Sequence, residues 1–296
     1  MKFKVHLTKI TNFFYFLANL SEWASWSRKE YNQEWIRLTG KLTIDEKKML
    51  KQFRQVLKQT SKKEPLLYIL FFQLNKRLIW PNIKKGVCYQ DYIVIKKTFK
   101  IFQKRFNKTW NDSIAKKIKN KFKRYINNFN YTNSILQDLA SFYSKPIDQR
   151  NVNIFLILLP SKIKTGGGRY DLKNQAVILE RSPLQLISLR TIEIFFHELI
   201  HLYFEQPLLE KLSNIYFKKS SIRYCIREII AGALLPDGYL SQKYFKKNTL
   251  SKFRKLSPIQ KLSLKSIPLI KDYLDHNKKV DKNLIKKIGK LCLTRF

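Results

Sequence analysis

Just beyond Pro146 the chain runs Val152-Asn153-Ile154-Phe155-Leu156-Ile157-Leu158-Leu159, a compact stretch rich in isoleucine and leucine and stopped by Pro160. Such a run reads as a buried strand. A polar loop with Gly166-Gly167-Gly168 follows, then Arg169 to Leu172, then Gln175 to Glu180, whose Ala-Val-Ile-Leu core reads as a second strand. The rest of the chain has helical periodicity. Thr43-Ile44-Asp45-Glu46 is a capping-box pattern ahead of Leu50, Phe53 and Leu57, and the preceding segment Tyr31 to Leu38 closes at Gly40. Further helical stretches cover Glu64 to Leu74, Tyr92 to Phe106, Asp112 to Ile126 and Asn133 to Tyr143, punctuated by Pro81, Gly86 and Pro146. Ser182-Pro183 and Ser257-Pro258 are helix-start signals. The expected class is therefore α+β and mainly helical. An N-terminal helical domain is expected over residues 1–145, and over residues 146–296 a domain with a small sheet packed on the helix that bears His197.

A hydrophobic fraction of 44% and an aromatic fraction of 14% in 296 residues exclude a disordered chain. No apolar run reaches the ~18 to 20 residues of a membrane-spanning helix, and the basic N-terminus leads into no small-residue cleavage site. A cytoplasmic protein with no transmembrane segment is expected. Cys88, Cys225 and Cys292 are too few and too scattered for a disulfide framework or a thiolate zinc site, which fits a reducing compartment. The net charge of +38 would attract nucleic acid or an anionic surface, but the surplus is mostly lysine spread along the whole chain. Between Ala115 and Tyr125 the lysines interleave with Ile114, Ile118, Phe122 and Tyr125, a spacing for one apolar and one solvated basic face. A basic nucleic-acid-binding protein is one reading of such faces.

The segment Thr191 to Glu205 carries the sharper chemistry. His197 and His201 stand four apart on an expected helix, one turn from each other on one face, so both imidazoles can reach one zinc ion at ~2.0 to 2.1 Å. Glu198 projects beside that ion, where a general base for an activated water belongs. Two of only four histidines fall in this arrangement. A catalytic zinc needs a third protein ligand, and the nearby acids are Glu205, Glu210, Glu228 and Asp237. Glu205 would point past the metal and serve a lysine or His201 instead. Glu228, 27 positions after His201 in an apolar segment, is the expected ligand, with pairing to Arg223 or Arg227 as the alternative. Ala231 and Gly232 would let its helix approach closely. Gly166 to Gly168 lack the spacing of a dinucleotide or phosphate loop and read as a turn at the cleft edge.

With His197-Glu198-x-x-His201 followed by Glu228, the chain resembles the zincin metallopeptidases, in particular the gluzincin branch. The resemblance spans residues 151–237 and leaves out the N-terminal half. It implies a zincin-like catalytic domain holding Zn2+, and hydrolysis of a peptide or protein substrate by a water that zinc polarises and Glu198 deprotonates. It also implies an edge strand ahead of the active-site helix that pairs with the substrate backbone, the place Gln175 to Glu180 takes here. The thermolysin-like pattern is not followed throughout: Gly232 stands where an acid four residues after Glu228 belongs, and no downstream histidine offers itself to the oxyanion. Tyr203, Tyr224 and Tyr239 are the candidate donors. A zincin fold with a non-peptidase role is the remaining alternative.

Overall fold

Four strands, β1 (Lys2–His6), β2 (Asn151–Leu158), β3 (Gly168–Asp171) and β4 (Ala176–Arg181), form one mixed sheet in the order β1-β2-β4-β3. The β1–β2 and β2–β4 pairs are parallel and β3 runs antiparallel to β4. Side chains alternate across a strand, and here both sets are apolar. Val152, Ile154, Leu156, Val177 and Leu179 enter one hydrophobic core, while Phe155, Ile157, Ala176 and Ile178 enter another. A sheet greasy on both faces needs a cover on each.

Helices supply the two covers. The computed structural model, which describes residues 1–23, 27–60, 66–163, 166–246 and 256–293, places α1 (Lys9–Leu20), α2 (Lys29–Thr39), α3 (Ile44–Thr60), α4 (Leu66–Phe71), α5 (Ile79–Gly86) and α6 (Tyr89–Thr109) around the second core. Its aromatic residues pack both face to face, as Phe14 does on Phe71 with ring centroids 4.3 Å apart, and edge to face, as Phe16 does on Trp35. The first core gathers α7 (Asp112–Asn127), α8 (Thr132–Tyr143), α9 (Leu189–Leu199), α10 (Leu208–Tyr216), α11 (Ser220–Leu234), α12 (Tyr239–Phe245), α13 (Pro258–Asp275) and α14 (Lys282–Leu293). Both cores draw residues from either side of position 145. The α+β, mainly helical class stands, and no helix among the described residues is long and apolar enough to cross a membrane.

Local signals explain several boundaries. The Thr43 amide donates to Glu46 (2.7 Å) and the Glu46 amide to Thr43 Oγ1 (3.2 Å), which is the expected capping box at the start of α3. Gly40 ends α2 with φ +98°, a conformation that side chains resist. Ser257 and Gln260 cap α13 in the same reciprocal way. Of the stretch expected helical from Glu64 to Leu74, α4 covers Leu66–Phe71, and positions 64 and 65 lie outside the described residues.

Three expectations need correction. Residues 2–6 are strand, not helix, because Phe3 and Val5 find their cover only by pairing with β2. Ser182-Pro183 opens a turn, closed by the Gln185 amide on the Ser182 carbonyl (3.0 Å); α9 starts later, where Ser188 Oγ accepts from the Thr191 amide (3.3 Å). On α7 Ala115, Phe122 and Ile126 are buried with Ile118 and Tyr125 packed beside them, and of the expected apolar face only Ile114 points to solvent. The lysines at 116, 117, 121 and 123 are exposed, a solvated basic face.

Candidate metal centre

Helix α9 is the floor of the site. Ile192, Phe195, Phe196 and Leu199 are fully buried and anchor it against the sheet. Its last residues pass directly into a π-helical turn, Ile200–Phe204, in which the Glu205 amide reaches back five residues to the Ile200 carbonyl (3.0 Å). His197 lies before this turn and His201 within it. Their rings meet edge to face with centroids 4.8 Å apart, and the two Nε2 atoms stand 3.2 Å from each other.

Hydrogen bonding on the far side of each ring sets its tautomer. His197 Nδ1 lies 2.6 Å from the Leu235 carbonyl oxygen, which can only accept, so Nδ1 carries the proton. His201 Nδ1 faces Glu205 Oε2 at 3.0 Å and donates likewise. Each ring thereby turns its Nε2 toward the other. Glu228, on α11, completes the group: its carboxylate oxygens lie 3.6 Å from His197 Nε2 and 3.6 Å from His201 Nε2. All three ligand atoms fall within 4.8 Å of one another. A tetrahedral zinc with ~2.0 to 2.1 Å bonds separates its ligand atoms by roughly 3.3 Å, so this donor set fits that ion.

The electrostatics point the same way. Burial alone would raise the Glu228 carboxyl, but the His197 hydrogen bond and the two imidazoles outweigh it and hold the group down at about 2. At His197 burial, which lowers, is overcome by Glu228 and Glu198, and the ring is lifted to about 9. A protonated His197 thus pairs with the Glu228 carboxylate, and a metal that takes the place must release that proton.

The other acids have other tasks. Glu205, only 1% exposed, accepts from Arg227 Nε at 2.6 Å as well as from His201, so it orients the imidazole and does not join the cluster. Arg227 Nη2 also donates to the Tyr170 hydroxyl (3.0 Å), and the Tyr170 ring stacks on His201 at 5.4 Å. Glu210 is exposed, and Asp237 is bonded to Arg190 at 2.5 Å. Arg223 donates to backbone carbonyls, so Glu228 meets the histidines and neither arginine. Glu205→Gln is expected to lower zinc affinity about 10- to 100-fold with the fold intact, read by competition with a chelator.

Glu198 stays out of the donor group and lines, with His197 and Glu228, a cavity of about 420 Å³. It is 8% exposed, and burial raises its carboxyl against the pull of both histidines. Gly168, the first residue of β3, passes over it: a Cβ there would come within 2.7 Å of Glu198 Cγ and 2.6 Å of Ile194 Cγ2. The glycine run is thus the upper lip of the cavity.

Two further expectations change. The strand beginning near Gln175 is not an edge, because β4 lies between β2 and β3; the edge next to α9 is β3. Gly232 brings α11 close to α13, where a Cβ would lie 2.6 Å from Ser263 Oγ, and not to α9. Among the three candidate tyrosines, Tyr203 donates to the Pro146 carbonyl (2.6 Å) and Tyr239 to Asp275. Tyr224 alone reaches the site; burial and its bond to Glu228 push its hydroxyl up to about 12. Tyr170, Arg227 and Arg181 carry no local signal in the sequence, since each owes its place to strand order or to the packing of α11. No family model, curated protein or solved structure matches the chain.

Proposed function

We propose that the chain is a zinc-dependent peptidase with a zincin-like catalytic unit, in which His197, His201 and Glu228 hold the ion and Glu198 is the general base. One observation carries the reading: three donors stand at ligand spacing, and two of them, His197 and Glu228, share a cavity with a buried carboxylate that is not one of them. Zinc held there supplies Lewis acidity toward a water and a carbonyl. Glu198 accepts the proton of the attacking water at its carboxylate and returns it to the leaving nitrogen. The outer edge of β3 offers backbone groups to an extended peptide, and Gly168 keeps that edge close to Glu198. Tyr224, whose hydroxyl bonds Glu228, is the residue we assign to assist the carbonyl oxygen. The cysteine usage agrees with a cytoplasmic enzyme.

Metal analysis beside hydrolysis of a mixed peptide library tests the proposal. About one zinc per chain and cleavage that stops on chelation are expected. A fully metallated protein that cleaves nothing points to a zincin-like unit with another task. Steeply salt-dependent binding of DNA or RNA without zinc points to the basic-protein alternative.

A further inference from the structure

Three guanidinium groups, those of Arg28, Arg181 and Arg190, line the cavity that also holds His197, Glu198 and Glu228. Two of them have carboxylates within the chain. Arg190 bonds Asp237 at 2.5 Å and lies 3.6 Å from Glu193, and Arg28 lies 3.8 Å from Glu30. Arg181, the last residue of β4, has none among the described residues. It is 3% exposed, and its Nε and Nη2 have no hydrogen-bond partner among the described residues. Burial, then the charges of Arg190 and Arg28, bring it down to about 10, so it remains charged at neutral pH.

A buried, charged, unpaired guanidinium is costly to fold, and such costs collect where a ligand repays them. Gly166 packs directly against the group at the cavity wall. A Cβ on Gly166 would come within 2.6 Å of Arg181 Nη1, just as one on Gly168 would strike Glu198. The two functional side chains therefore lie under the same three-residue lip. An arginine fork matches a carboxylate with two parallel N–H···O bonds.

Resting on the peptidase reading, we propose that Arg181 is a specificity-determining residue that receives a substrate carboxylate, either the C-terminal carboxylate or an Asp or Glu side chain. The substrate class is then peptides carrying an anion at a fixed distance from the cleaved bond, and the buried charge rejects neutral analogues by leaving its own donors unpaired.

The test uses the zinc-loaded full chain and matched peptides that differ in one group: C-terminal acid against amide, and Glu against Gln at each position in turn. The wild type is expected to prefer the acid of one pair by about 100-fold in kcat/KM, and the pair concerned names the source of the carboxylate. Arg181→Met should bring that ratio near unity with zinc content unchanged and a Tm no lower than wild type, since an unpaired buried charge has been removed. Arg181→Lys, which keeps charge but loses the fork, should retain part of the preference. Equal cleavage of every pair by the wild type, or a preference that survives in Arg181→Met, overturns the proposal. Binding of the same peptides, fluorescently labelled, is read by anisotropy alongside. Acid-selective binding that Arg181→Met abolishes supports the subsite even if nothing is cleaved, in which case only the peptidase reading falls. Equal binding of both members of every pair, acid against amide and Glu against Gln, overturns the subsite whatever the turnover.

Discussion

Glu198→Gln is expected to bind zinc as the wild type does, to melt at a similar temperature, and to hydrolyse peptides on the order of 10² to 10⁴ times more slowly. The amide is nearly the same size as the acid, so it fits under Gly168 against Ile194 and leaves the donor atoms of His197, His201 and Glu228 where they are. What it cannot do is take a proton from water. Burial also raises the affinity of the wild-type carboxyl for a proton, which suits it to the proposed task. Zinc content measured beside initial rates separates the two roles. A variant that loses zinc would place Glu198 among the ligands, and one that keeps full turnover would remove it from the mechanism.

The second large effect concerns the metal. His201→Ala should abolish tight zinc binding, well beyond the roughly 100-fold at most that the loss of a supporting group costs. In the proposed site the imidazole is one of three protein ligands, and its orientation is fixed in advance by Glu205, Arg227 and the Tyr170 ring. Glu228→Ala should weaken binding markedly while leaving the two-histidine half of the site in place. Equilibrium dialysis against a chelator gives the ranking: His201→Ala worst, Glu228→Ala next, Glu205→Gln mildest. Unchanged zinc in Glu228→Ala would move the third ligand to another acid.

The parts of this site that were legible in the sequence are those governed by helix periodicity. Four residues bring His197 and His201 together because a helix turn does so wherever it occurs, and the apolar flank of α9 was equally visible. Glu228 could be singled out because a lone acid in the apolar stretch of α11 asks for a cation. The π-helical turn after Leu199 has no such signature, since Ile200–Phe204 reads as ordinary helix and only tertiary packing widens it. Strand order was hidden for a different reason. Whether β4 is an edge depends on where β1 and β3 pair, and those pairings are long-range choices. β1 itself shows a clean alternation over five residues, too short to be told from the start of α1 without its partner. Arg181 was invisible because one arginine among 59 basic residues looks like surface until its surroundings are known.

The parallel pairing of β1 with β2 sets a timetable for synthesis. Lys2 pairs opposite Asn151, so the first strand leaves the ribosome about 150 residues before the one that will hold it. At about 5 to 20 residues per second that is a wait of roughly 7 to 30 s, long compared with helix formation, during which Phe3 and Val5 have no sheet to join. Lys2 and Lys4, alternating with them and exposed in the finished fold, put charge on every second position of the waiting segment. That charge discourages the strand from pairing with a neighbouring nascent chain before its own partner arrives.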